Sequence, residues 1–215
     1  GSFKVEDVVK LKGSRVAHIG VVTSGKISKD DEATLIVDKN RRASICKNHS
    51  ATHLLQKALQ TVLGDQVHQA GSYQDAERTR FDFSHDRAVT KEELEKIETI
   101  VNEKIAEDLK VETKVMSLDE AKKTGAMALF GEKYGETVRV VGMGDFSTEL
   151  CGGTHVSHTG QIRTFKIVSE SGIAAGVRRI EAVTDVHALE YYKKLEDQIA
   201  EAASIVKSTP ANLIE

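Results

Sequence analysis

The amino-acid sequence predicts an α+β fold built from mixed or antiparallel sheets. Three observations carry this expectation. Strand-like and helix-like stretches follow one another without a strict βαβ rhythm. The strand-like stretches are short and bounded by turn residues, and two longer stretches carry apolar residues at helical spacing. With 215 residues, 40% hydrophobic and 29% charged, the chain is long enough to bury a core. A net charge of −3 and a pI of about 6.3 argue against an overall polybasic binder. No apolar run approaches the roughly 20 residues of a membrane span. Cys46 and Cys151 are too few for a disulfide framework and favour a reducing, cytoplasmic setting away from membranes. Gly1-Ser2 reads as a tag remnant, so a piece excised from a longer chain is expected.

Three segments are expected. Residues 1–45 carry β-branched runs at 16–22 and 33–37, with Ser24-Gly25 and Asp30-Asp31 as turn signals; this is too little strand to close a barrel alone. Residues 46–184 form the core. A helix is predicted over 48–63 with Gly64 as its stop, then strands at 67–72 and 79–85. A second helix over 91–109 follows a capping-box pair, Thr90 and Glu93, with Leu94, Ile97, Val101 and Ile105 at helical spacing. Strands at 111–116 and 137–143 flank a short helix opened by Ser117 and Glu120 and a Gly-rich turn at 131–135. Two more strands follow at 161–170 and 177–184. Residues 185–215 are mostly helical, with a narrow stripe of Leu189, Tyr192, Leu195, Ile199, Ala202 and Val206. That stripe suits either an extended arm or a helix packed on the core.

The chemistry concentrates in two places. His49 and His53 stand one turn apart on the first helix. At about 100° per residue, His49, His53, Gln56 and Gln60 fall within roughly 60° of each other. Ala51, Leu54, Leu55, Ala58 and Val62 cluster opposite, so the imidazoles are predicted to point away from the packing stripe. The second place is Cys151-Gly152-Gly153-Thr154-His155, where two glycines let a thiolate and an imidazole turn toward one point. Three histidines and one cysteine, His49, His53, Cys151 and His155, suit Zn²⁺. The sequence carries no metalloprotease glutamate after His49, no phosphate loop with its lysine and no serine elbow.

The segments His49-Ser50-Ala51-Thr52-His53-Leu54-Leu55, Arg80-Phe81-Asp82-Phe83-Ser84-His85, GAMALFGEKYG at 125–135, Glu149-Leu150-Cys151-Gly152-Gly153-Thr154-His155 and Gly176-Val177-Arg178-Arg179-Ile180-Glu181-Ala182 resemble the editing domain of bacterial alanyl-tRNA synthetase. This resemblance runs from about Val16 to the C-terminal helix. It implies helices and sheets around a zinc-containing editing cleft, preceded by a partial β-barrel segment at 1–45. Residues 185–215 would be the start of an arm to a further domain. It also implies hydrolysis of mischarged tRNA(Ala) carrying serine or glycine, with His49, His53, Cys151 and His155 holding zinc. Thr52 and Ser72 would line the amino-acid side of the pocket, and Gln69 would be required for efficient editing. The other synthetase domains are expected partners. Arg178-Arg179, Arg163, Lys166 and Lys122-Lys123 are expected to touch tRNA phosphates.

Two further readings stand beside this one. One is a freestanding trans-editing protein of the same superfamily. The other is a zinc-stabilised tRNA-binding module without catalysis. A metal-free domain whose cysteine and histidines only pack is the plainest alternative.

Overall fold

The computed structural model describes residues 1–13, 15–125 and 135–213. The chain divides into two compact units, 1–37 and 38–215. The smaller is a two-stranded antiparallel sheet of β1 (Ser2–Lys10) and β2 (Val16–Ser24). Residues 33–37, expected as a strand, form none; Leu35 and Ile36 are 69% and 88% exposed. With neither a partner ladder nor a buried face, β-branched composition alone does not make a strand.

The larger unit opens with α1 (Lys39–Leu63), nine residues earlier than the sequence expectation of 48. Asp38 is the cap, its side chain accepting from the Arg41 N–H at 2.9 Å. The apolar pattern hides this start, because residues 39–43 are exposed and carry no core stripe. Gly64 closes the helix, its N–H bonding the Gln60 carbonyl.

β3 (Gln69–Gln74) and β4 (Thr79–Ser84) follow, then α2 (Lys91–Ala106), whose Thr90–Glu93 capping box is formed in both directions. β5 (Val111–Ser117), the short α3 (Leu118–Lys123) with its Ser117–Glu120 box, and β6 (Thr137–Met143) come next. A four-residue strand absent from the sequence expectation, β7 (Ser147–Leu150), leads into Cys151. The last strands are β8 (Phe165–Ala174) and β9 (Val177–Thr184), before α4 (Asp185–Ile205). The Gly-rich turn expected at 131–135, and most of the 125–135 motif, lie outside the described residues.

Among the described residues of this unit the strand pairings are antiparallel, in a four-stranded sheet of order β3-β4-β9-β8 and a three-stranded sheet β5-β6-β7. Both α1 and α2 pack on the larger sheet. Leu54, Leu55, Ile97, Phe81, Phe83, Phe165 and Ile180 fill the layer between, each fully buried. β7 also reaches α1, which brings the smaller sheet to the same helix. On α4 only Ala188 and Ala203 are buried; Leu189, Tyr192, Leu195 and Ile199 remain exposed along the stripe. Among the described residues no helix is long and apolar enough to cross a membrane.

Candidate metal centre and neighbouring polar residues

α1 presents polar groups inward because it is covered on two sides. Ala51, Leu54, Leu55 and Ala58 fill the apolar core as the wheel predicts, but His53, Gln56 and Gln60 on the opposite face are also under 9% exposed. The histidine face is therefore roofed rather than solvated. Gln60 and Gln56 donate to the Val67 carbonyl at 3.1 and 3.4 Å. Buried Asn48 donates to the Asp75 carbonyl and accepts from the Thr184 hydroxyl, tying α1 to the β3–β4 turn and to the end of β9.

The one-turn pair His49 and His53 meets the turn after β7. One donor atom from each of His49, His53, Cys151 and His155 lies within 4.8 Å of all the others. His49 Nε2 is 3.4 Å and His155 Nε2 3.3 Å from Cys151 Sγ. A tetrahedron with metal–nitrogen bonds of about 2.0 Å and a metal–sulfur bond of about 2.3 Å has nitrogen–sulfur edges of roughly 3.5 Å. The donor set and these two edges fit zinc.

Each ring has a neighbour behind it. His53 Nδ1 stands 2.7 Å from Glu149 Oε2, both side chains under 10% exposed. This ring nitrogen is not aligned for a directed hydrogen bond and finds no other partner, so the carboxylate acts on it by charge and proximity. Behind His155, Nδ1 lies 3.3 Å from Ser50 Oγ, which also accepts from the Val156 N–H. Electrostatics follow. Burial opposes ionisation of the Cys151 thiol, but hydrogen bonds from His155, His49 and His53 outweigh it and hold the pKa far below the usual thiol range. Burial works against charging His53, yet Glu149 and Cys151 raise its pKa overall. Burial lowers that of His155.

Of the two glycines in the turn, only Gly153 is sterically required. A Cβ there would sit 2.0 Å from His49 Cε1, whereas at Gly152 it would meet nothing within 4 Å. Arg139 on β6 clamps the same turn. Its guanidinium donates to the Gly153 carbonyl and, at 3.4 Å, to that of Cys151, and it also reaches the Thr113 hydroxyl.

The expected pocket residues divide. Gln69 and Ser72 are brought together, Gln69 Nε2 donating to Ser72 Oγ at 3.3 Å. Residues three apart in a regular strand face opposite sides. Here a bulge intervenes: Gln69 pairs with Phe83 and Gly71 with Asp82, so Ala70 is the extra residue. Gln69, Ser72 and Gln74 then share the face of Phe83, Phe81 and Thr79, which is the α1 side. Thr52 is not joined directly to that pair. Its hydroxyl donates to the Asn48 carbonyl at 2.9 Å and lies 2.7 Å from Thr79 Oγ1 and 3.3 Å from Gln74 Nε2. One proton and two lone pairs are all in use. A substrate hydroxyl would have to displace Gln74.

Comparison with known proteins bears on this arrangement. A family model described as the threonyl and alanyl tRNA synthetase second additional domain matches residues 138–181, which include Cys151 and His155. Over 213 residues, 99% of its length, the chain is 60% identical to alanine–tRNA ligase 1 of Lachnoclostridium phytofermentans, covering 24% of that protein. It is 53% identical over 211 residues, 98% of its length, to alanine–tRNA ligase of Herminiimonas arsenicoxydans, again covering 24%. To that of Lysinibacillus sphaericus it is 52% identical over 210 residues, covering 23%. The chain belongs to the alanyl-tRNA synthetase family.

It spans about a quarter of the length of the curated relatives it matches. Against the expectation of free phosphate contacts, most of the cations singled out in this family segment are already paired. Arg178 makes two hydrogen bonds to Glu170, at 2.5 and 2.6 Å, and Arg179 two to Asp82, at 2.7 and 2.8 Å. Lys166 pairs with Glu98, Arg163 with Asp185 and Lys122 with Asp119. A phosphate reaching Arg178 or Arg179 would have to displace a bidentate carboxylate. Sequence reasoning gave no role to Glu149, Arg139, Asn48 or Gln74. Glu149, inside a recognised motif, is the one of these with a sequence signal.

Proposed function

We propose that this chain is a hydrolytic editing domain that deacylates seryl-tRNA(Ala) and glycyl-tRNA(Ala). The observation that carries the reading is convergence on one helix. α1 bears His49, His53 and Thr52, and it packs against both β7, which leads to Cys151 and His155, and β3, which carries Gln69 and Ser72. Membership of the alanyl-tRNA synthetase family supports the substrate class.

In the proposed reaction a water attacks the aminoacyl ester carbonyl. The bond to the ribose oxygen breaks, releasing the free amino acid and uncharged tRNA. His49, His53, Cys151 and His155 would hold zinc, and a bound ion there would supply Lewis-acid stabilisation of developing negative charge. Gln69, whose side-chain amide both donates and accepts, orients the water together with the terminal ribose hydroxyl of the tRNA. Ser72, exposed on the α1 side of β3, offers a hydroxyl to the serine side chain. Thr52 acts through Gln74, which it holds on that same face.

Selectivity for serine over alanine follows from unpaired polar groups. An apolar synthetic site separates alanine from serine or glycine by only about 1–3 kcal/mol, whereas a site built to hydrogen-bond a hydroxyl strongly disfavours an analogue that lacks it. The remaining synthetase domains and the acceptor end of tRNA(Ala) are the proposed partners, and the proposed setting is cytoplasmic.

The test is deacylation of seryl-tRNA(Ala) against alanyl-tRNA(Ala) by the wild type and Cys151→Ala, with zinc content and folding measured on both. Selective seryl hydrolysis that disappears with the metal in a folded variant is the expected result. A folded, zinc-loaded wild type inactive at every enzyme concentration would overturn the hydrolase reading in favour of a tRNA-binding module.

A further inference from the structure

The donor cluster leaves one buried carboxylate without a role. Glu149 is 6% exposed, and the residue two before it on β7, Ser147, is 4% exposed. Alternate residues of a strand share a face, so β7 turns both inward toward α1. Ser147 Oγ donates to Glu149 Oε1 at 3.2 Å. The other carboxylate oxygen, Oε2, stands 2.7 Å from His53 Nδ1. Among the described residues no lysine or arginine forms an ion pair with Glu149. A buried carboxylate is costly unless paired, and the partner here is an imidazole of the donor cluster.

We infer that Glu149 is a positioning residue for the metal site. It holds the proton of His53 on Nδ1 and so turns Nε2 toward the ion, while Ser147 keeps the carboxylate in place. Two observations support this beyond the contact itself. A carboxylate at Nδ1 leaves His53 the same free donor, Nε2, by which His49 and His155 approach Cys151. Ser50 does for His155 Nδ1 what Glu149 does for His53. Charge points the same way. Three neutral imidazoles, one thiolate and a divalent cation leave one uncompensated positive charge, which the Glu149 carboxylate cancels inside the fold.

The inference rests on the four donors forming a zinc site. The experiment is zinc affinity by chelator competition for the wild type, Glu149→Gln, Glu149→Ala and Ser147→Ala, with apo-protein thermal melts on each. Glu149→Gln keeps the shape but loses the charge, and it is expected to weaken zinc binding about 10–100-fold. Glu149→Ala should weaken it at least as much, and Ser147→Ala less, with the metal-free protein still folded. Equal affinity in the wild type and both Glu149 variants overturns the inference. So does a loss that follows only the unfolded fraction, since that would make Glu149 a structural residue. A wild type that takes up no zinc overturns the metal reading as well.

Discussion

The candidate donor cluster on α1 and the Gln69–Ser72 pair that faces this helix are built by different means. His49 and His53 meet because the helix repeats every 3.6 residues, and Cys151 and His155 because one glycine allows the chain to pass against a ring. Gln69 and Ser72 meet only because one extra residue, Ala70, interrupts the ladder. The first site is specified by residue identities at fixed spacing. The second is specified by strand register, in which the extra residue Ala70 lets residues three apart share a face. A site of the first kind should fail by losing its ligand, and one of the second kind by losing its aim.

The largest expected effect is at the cluster. Changes behind a metal ligand already cost 10–100-fold in affinity, so Cys151→Ala, which removes a ligand, should weaken zinc binding by more than about 100-fold, measured by chelator competition. Gln69→Ala tests the other side. It removes the amide proposed to orient the water, and deacylation should fall about 100-fold while zinc content is unchanged. Loss of zinc in that variant would show the two sites to be coupled.

Smaller changes sharpen the contrast. Gly153→Ala places a methyl against His49 and should cost about 1–3 kcal/mol of stability in denaturant unfolding, whereas Gly152→Ala should be within about 0.5 kcal/mol of wild type. Arg139→Ala removes the donor from the Gly153 and Cys151 carbonyls, with an expected loss of about 1–3 kcal/mol.

The smallest effect lies far from both sites, at the start of α2. The Arg87 guanidinium first, and then the Thr90 backbone N–H, hold the Glu93 carboxyl down to about 2. Its folded pKa lies below its unfolded value, so the stabilisation is present above the usual carboxylate range and is lost as the pH falls through about 2. Because the pair is partly exposed, Glu93→Gln should lower stability at neutral pH by no more than about 1 kcal/mol. The difference from wild type should vanish in acid.

Much of this protein is legible in its sequence. Capping boxes at Thr90 and Ser117, the stop at Gly64 and the strands 137–143 and 177–184 are local matters, decided within a few residues. The four donor residues are equally local in their two halves. The start of α1 was not legible, because its first turns bury nothing and only the Asp38 cap marks them. β7 was not legible either, because four residues carry too little pattern.

The sequence alone therefore determined the α+β class, the elements with strong local signals and the residues of the candidate donor cluster, since helical period and chain chemistry act over short range. Only the tertiary structure decided that Gln69 and Ser72 share a face, that Thr52 spends its hydroxyl on Asn48, Thr79 and Gln74, and that Arg178 and Arg179 are bound to carboxylates. It also decided that Glu149 stands behind His53. Each of these depends on which distant segment supplies the partner, and partner choice is a property of register and packing rather than of any residue by itself.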